Sequence, residues 1–200
     1  MPHRLLAAVQ YLVLGGDTPD YRARPDPWTA FLDILYQHQD WVVAFVKGRG
    51  IQTNETRRCF ALLPLFLLVA RTVRKPLDLL ELGTSGGLNL CWDRFYYMFS
   101  QGTWGSAQAG LELSGKEEAP VPGDLLTQQV EVCRRRGIDL DPVDVATRDG
   151  IRLLTSFVGN DPGRVERIQR AAAIAGRERP ILIRGDYLEV LPEVLRDRAS

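Results

Sequence analysis

The residues best equipped for chemistry stand together at Glu81-Leu82-Gly83-Thr84-Ser85-Gly86-Gly87-Leu88. Glycine has no Cβ, so a ligand can lie close against the backbone of such a turn. A helix that starts there also offers N–H groups with no intrahelical partner. Three carboxylates could join the turn. Asp139 lies in Gly137-Ile138-Asp139-Leu140-Asp141-Pro142, Glu112 in Leu111-Glu112-Leu113, and Asp186 in Arg184-Gly185-Asp186. A carboxylate can accept from two adjacent O–H donors, which suits a sugar diol. In Gln52-Thr53-Asn54-Glu55, Thr53 or Asn54 reads as a helix cap. The functional alternative is that Asn54 or Glu55 faces the cleft. Asp139, Asp141 and Asp144 lie close in sequence, but no histidine joins them; they read as a solvated loop, and no metal site is assigned.

The elements that must position these groups fall into two parts. Over residues 1–75 the apolar spacing is helical throughout. Leu5, Leu6, Val9, Leu12 and Val13 form one stripe, ended by Gly15-Gly16. Asp26-Pro27 is a strong start for a second helix, with Trp28, Phe31, Leu32 and Leu35 inward. Asp40 starts a third segment, with Val42, Phe45 and Val46 inward. Residues 59–70 form an apolar stretch that reads as a buried core helix, too short for the roughly 20 residues a membrane span needs.

The pattern changes after Pro76. Leu77-Asp78-Leu79-Leu80-Glu81-Leu82 has strand length, the glycine turn follows, and 88–99 reads as a helix. Residues 110–113 and 181–183 are further strand candidates, and 114–123 is a polar linker. Residues 125–136, 165–175 and 188–195 read as helices. Arg134-Arg135-Arg136 is expected at the solvated end of one of them. Alternating strands and helices predict an α/β domain with a parallel sheet over 76–200, behind a helical subdomain over 1–75.

Gly83-Thr84-Ser85-Gly86-Gly87 fits G-x-S-x-G, the pattern of a nucleophilic serine on a strand-to-helix turn. That chemistry needs a base, and the two histidines, His3 and His38, both precede it. A hydrolase using Ser85 would therefore need groups from elsewhere. A dinucleotide G-x-G-x-x-G fails at Ser85 and Leu88, and no Gly-Lys-Ser/Thr phosphate loop is present.

The turn resembles the first motif of class I S-adenosylmethionine-dependent methyltransferases, through Glu81, Gly83 and Gly87, with Ser85 where the middle glycine usually lies. The resemblance implies a Rossmann-like fold and S-adenosylmethionine as cofactor. It places Glu81 and the turn (Gly83, Thr84, Ser85, Gly86, Gly87) at the amino-acid end. It gives the ribose to Asp139 or Glu112, with Asp139 favoured, and the adenine to Asp186. The chain as a whole resembles an uncharacterised bacterial family, domain of unknown function 2332. The resemblance runs through residues 5–16, Gln52-Thr53-Asn54-Glu55, residues 81–90 with Trp92-Asp93-Arg94, residues 137–144, and Gly185-Asp186 with Leu191-Pro192. The methyltransferase likeness also implies about four more strands after Asp186. The sheet is then expected to be incomplete, as in a truncated chain. The first strand keeps an unpaired edge, covered by another chain or prone to aggregation. A methyltransferase-like protein of unknown substrate is the leading expectation. A non-catalytic interaction module that keeps the fold is the alternative.

Bulk composition narrows the partners. The 200 residues carry 25 basic and 25 acidic side chains, so no global field favours nucleic acid or an anionic membrane. Cys59, Cys91 and Cys133 form no zinc motif or disulfide framework, which points to a reducing, cytoplasmic setting. Each reads as a small buried apolar residue.

Overall fold

Asp26 shows how local chemistry sets the helical part. Its carboxylate accepts from the N–H groups of Trp28 and Thr29, each at 3.1 Å, and Pro27 fills the first helical position. In the computed structural model, which describes residues 2–196, this helix is the second of four. They are α1 (Pro2–Gly15), α2 (Pro27–Gln37), α3 (Gln39–Gly48) and α4 (Arg58–Val73). The cap expected of Thr53 or Asn54 is not used: α4 begins at Arg58 with no side-chain cap.

The chain continues through β1 (Leu77–Leu82), a 3-10 segment (Leu88–Arg94), β2 (Tyr96–Phe99), β3 (Gly102–Trp104), β4 (Glu112–Ser114) and β5 (Val132–Asp139). It closes with α5 (Arg148–Ser156), α6 (Pro162–Glu178), β6 (Ile181–Arg184) and α7 (Tyr187–Arg196). β1, β5 and β6 form a parallel sheet in the order β1-β5-β6. Its register sets Leu82 beside Ile138 and Ile138 beside Ile183. A second sheet has the order β3-β2-β4. The molecule is thus a mixed α/β structure with a three-stranded parallel sheet and helices.

Two expected helices are not formed. Over 88–99 the helical portion is a 3-10 segment, and Tyr96-Tyr97-Met98-Phe99 becomes β2. Aromatic residues suit a pleated, half-buried surface, and Tyr97 is fully buried with its hydroxyl donating to the Trp92 carbonyl at 2.8 Å. Over 125–136 only Leu125–Thr127 is helical, and the basic run enters the middle strand of the parallel sheet. Arg135 and Arg136 are buried there, not solvated. Arg135 donates to Asp93 at 2.7 Å and Arg136 to Asp78 at 2.7 Å. Paired guanidiniums escape the cost of an isolated buried charge, so the helical reading loses its premise.

One hydrophobic core joins the helices to the sheet. It runs from Ala8 and Val9 in α1 through Leu63 and Leu67 in α4 to Leu154 in α5 and Ala171 in α6. Trp92 lies in it, 2% exposed, with ring contacts to Phe66 and Trp104. α4 is only half the core helix the sequence predicts. Its opposite face leaves Leu62, Leu65, Leu68, Val69 and Val73 between 46% and 51% exposed. Among the described residues no helix is long and apolar enough to cross a membrane.

Candidate functional site

β1 carries the chain to Glu81 and stops at Gly83, whose φ of +70° favours glycine. Ser85 follows with φ +54°, a left-handed conformation that costs a non-glycine residue about 1 kcal/mol or more. The surroundings impose it. The Ser85 N–H donates to Asp139 Oδ2 at 2.8 Å, its hydroxyl to Gln52 Oε1, and its carbonyl accepts from the Val143 N–H at 3.1 Å. Asn54 Nδ2 donates to the Thr84 carbonyl at 3.0 Å. Gly137 of β5 lies so close that a Cβ there would stand 2.4 Å from Thr84 Cγ2. Glu81 braces the turn from the strand side, accepting from Thr84 Oγ1 at 2.7 Å and Asn89 Nδ2 at 3.3 Å. Burial pushes the Glu81 carboxyl above its ordinary pKa, and these two hydrogen bonds partly oppose the rise.

The donors of this turn are therefore committed inward. Gly83 and Thr84 N–H both point to the Ile138 carbonyl, and Gly87 N–H to that of Thr84. Thr84, Ser85, Gly86 and Gly87 are buried, while Gly83 is exposed with open space where a Cβ would sit.

That open space belongs to a cleft of about 790 Å³ at the carboxyl ends of all three parallel strands. Gly83, Ile138, Asp139, Asp141, Arg184 and Gly185 are among its lining residues. Ligands of open parallel sheets lie in this position. Asp139 Oδ1 accepts from the Asp141 N–H at 2.8 Å, so this one carboxylate fixes both the turn and its own loop. Asp141 pairs with Arg49 at 3.1 Å and Arg184 at 3.0 Å. Asp186 sits between the cleft-lining residues Gly185 and Tyr187, and its Oδ1 accepts from the Leu188 N–H at 2.9 Å at the start of α7. Gly83, Asp139, Gly185 and Tyr187 are thus brought to one cleft, and Asp186 lies beside it without lining it.

The other candidates stand apart. Glu81 lines a separate groove of about 340 Å³, beside α4 and Asn89. Glu112 sits in the second sheet, in a groove with Arg57 and Arg167. Of the pair Asn54 and Glu55, Asn54 reaches the turn, while Glu55 pairs with Arg164 and Arg167. Gln52 is the residue that sequence reasoning missed. It accepts from Ser85, donates to the Asp141 carbonyl at 3.0 Å, and so ties the α3–α4 connection to two of the loops at the cleft. Its only signal was its place in the polar stretch 52–55.

The family described as an uncharacterized protein conserved in bacteria (DUF2332) matches residues 1–200. The chain belongs to this family. No curated protein and no solved structure matches it. In this DUF2332 chain Ser85 has the left-handed backbone of a nucleophilic elbow. It is 6% exposed, and its hydroxyl faces the amide oxygen of Gln52, which is no general base.

Proposed function

We propose that this DUF2332 protein binds S-adenosylmethionine in the cleft at the ends of β1, β5 and β6, on a Rossmann-like sheet of methyltransferase type. One observation carries the reading. The N–H donors of Gly83, Thr84, Ser85 and Gly87 are spent on the Ile138 and Thr84 carbonyls and on Asp139, while the cleft is lined by the carboxylates of Asp139 and Asp141 beside the Arg184 guanidinium. A pyrophosphate needs free N–H groups at such a turn and would find few. An adenosyl sulfonium has no phosphate. It brings a positive charge, two ribose hydroxyls and an exocyclic amine, all suited to carboxylate acceptors.

Residue roles follow from position. Gly83 lets the ligand lie against the backbone. Asp139 takes the ribose, because each of its oxygens keeps a lone pair beyond the N–H it already accepts. Asp186 takes the adenine amine from the cleft rim. Glu81 enters as the brace of the turn, not as a ligand of the ammonium. Methyl transfer would proceed by attack of an acceptor lone pair on the methyl carbon. The C–S bond breaks and its electron pair stays on sulfur. The protein's part would be alignment and electrostatics.

Thermal unfolding with ligand tests this. S-adenosylhomocysteine at a hundredfold excess over Kd stabilises by about 2.7 kcal/mol, worth roughly 5–10 °C in a chain of this size. The expected result is such a shift with S-adenosylhomocysteine and none with NAD or ATP. A folded Asp139→Asn variant should lose most of it. An equal response to NAD or ATP, or a full response in Asp139→Asn, overturns the assignment. The closure of the turn by Gln52 and Asn54 also favours a second reading, a non-catalytic interaction module, which predicts no shift with any of the three.

A further inference from the structure

A second cavity, of about 490 Å³, lies where α1 and α3 meet the loop after β5 and the start of α5. Small-molecule sites have this size. Tyr11 of α1 lines it, with Trp41 and Phe45 of α3, which stand four residues apart on one helix face. Their rings touch. Between centroids, Trp41 lies 5.7 Å from Tyr11 at 25° and 5.2 Å from Phe45 at 33°. They form a continuous aromatic wall. Phe45 is buried within it, whereas Trp41 is 38% exposed. One cation already uses this wall. The Arg152 guanidinium lies 3.8 Å from the Tyr11 ring centroid, where the negative face of the ring attracts it.

The charges around the cavity do not balance. Arg49 lines it, but pairs with Asp141, and Arg152 pairs with Asp17. Each guanidinium thus has a carboxylate of its own from outside the cavity. Asp144 and Asp149 also line the cavity, and neither forms a salt bridge among the described residues. Burial raises the Tyr11 phenol above its ordinary pKa, Arg152 opposes the rise, and the Asp149 carboxylate beside the hydroxyl adds to it. Both carboxylates stand on fixed backbone. Asp144 Oδ1 accepts from the Ala146 N–H at 2.9 Å, and the Asp144 carbonyl accepts from the Thr147 hydroxyl at 2.8 Å. Thr147 Oγ1 in turn accepts from the Gly150 N–H at 3.0 Å and caps α5, whose first turn carries Asp149. Only glycine fits at 150, since a Cβ there would stand 1.9 Å from the Asp144 carbonyl oxygen.

We infer that this cavity binds a small organic cation with an alkylated ammonium head, seated against Trp41 and held by Asp144 and Asp149. Such a head is weakly hydrated, so it leaves water for an aromatic wall more readily than a primary ammonium or a metal ion does. Among the described residues no group of three His, Cys, Asp or Glu side chains could hold a metal ion. An anion would meet two carboxylates, and a neutral ligand would gain nothing from them. The preset geometry of wall and carboxylates reduces what must be ordered on binding. Gly48 is the one residue that lines both this cavity and the cleft at the strand ends, so the inference does not rest on the cofactor reading.

Calorimetric titration of the full chain with choline tests it. The control probe is the neutral alcohol in which a tert-butyl group replaces the trimethylammonium head. The expected result is one saturable site per chain for choline, with the alcohol bound roughly tenfold or more weakly. Trp41→Leu should weaken both probes. The double variant Asp144→Asn with Asp149→Asn should weaken choline by roughly tenfold and leave the alcohol unchanged. Its asparagine at 144 can still accept from the Ala146 N–H, so the loop should keep its form. Saturating S-adenosylhomocysteine should not displace choline. No binding at millimolar choline, equal affinity for the alcohol, full choline affinity in either folded variant, or displacement by S-adenosylhomocysteine would each overturn the proposal.

Discussion

The cysteines give the sharpest test at the scale of single residues. Burial pushes the Cys91 thiol up to about 12 and the Cys59 thiol higher still, whereas Cys133 is exposed. Thiolate is the reactive form, so the native chain should label at one cysteine with a maleimide and at all three in denaturant. Mass spectrometry gives the count. Glu81 makes a second prediction. Its folded pKa lies above the unfolded value, so the native state binds the proton more tightly. Its contribution to stability is present in full below the ordinary carboxylate range and is lost as pH rises through the folded pKa. Glu81→Gln should therefore unfold at higher denaturant than wild type at pH 7, with the gap closing toward pH 4. A gap that widens on acidification contradicts the burial argument.

Residue-scale features were partly legible in the sequence. Cys59 and Cys91 are buried as their type predicts, while Cys133 is not, because β5 turns it outward. Glu81, Gly83 and Gly87 read as a turn because glycine marks a positive φ, and Gly83 and Gly87 both adopt one. Gln52 did not, because a neutral amide in a loop has no periodicity or charge signature. Its importance comes from a contact across 33 positions of sequence.

At the scale of elements, long periodic segments were readable and short apolar ones were not. α1, α2, α3 and α6 follow from their stripes and stops, and β1 spans the same six residues as its apolar run. β3 and α5 had no counterpart in the sequence reading, and two strands, β2 and β5, were mistaken for helices. Their aromatic and basic residues gain value only from partners far along the chain, which a local window does not contain. Arg135 is the clearest case. Its side chain is 6% exposed, and it binds Asp93 and the Leu90 carbonyl on the segment after the glycine turn. Asp93→Ala should leave that guanidinium buried without its main partner and cost about 3–5 kcal/mol. Urea unfolding measures this. A loss below about 1 kcal/mol, the surface-pair range, would mean that the pair is not buried as described.

Across the whole molecule, one geometric arrangement organises the rest. Three parallel strands end together, and the loops at those ends are Gly83–Gly87, the Asp139–Asp141 bend and Gly185–Tyr187. The alternation of strand and helix made the parallel sheet legible, and Asp139, the acidic residue favoured over Glu112 in the sequence, lies at the end of its middle strand. Its membership in a sheet of order β1-β5-β6 was harder to see, because the second sheet intervenes between β1 and β5 and takes Glu112 with it. The proposed preference for an adenosyl sulfonium over a phosphate-bearing nucleotide rests on the closed turn beside an open, carboxylate-bearing cleft. Calorimetric titration of the full chain with S-adenosylmethionine tests that claim most directly. The account predicts one saturable site per chain. Absence of heat at millimolar ligand, with ligand and protein both intact, would contradict it.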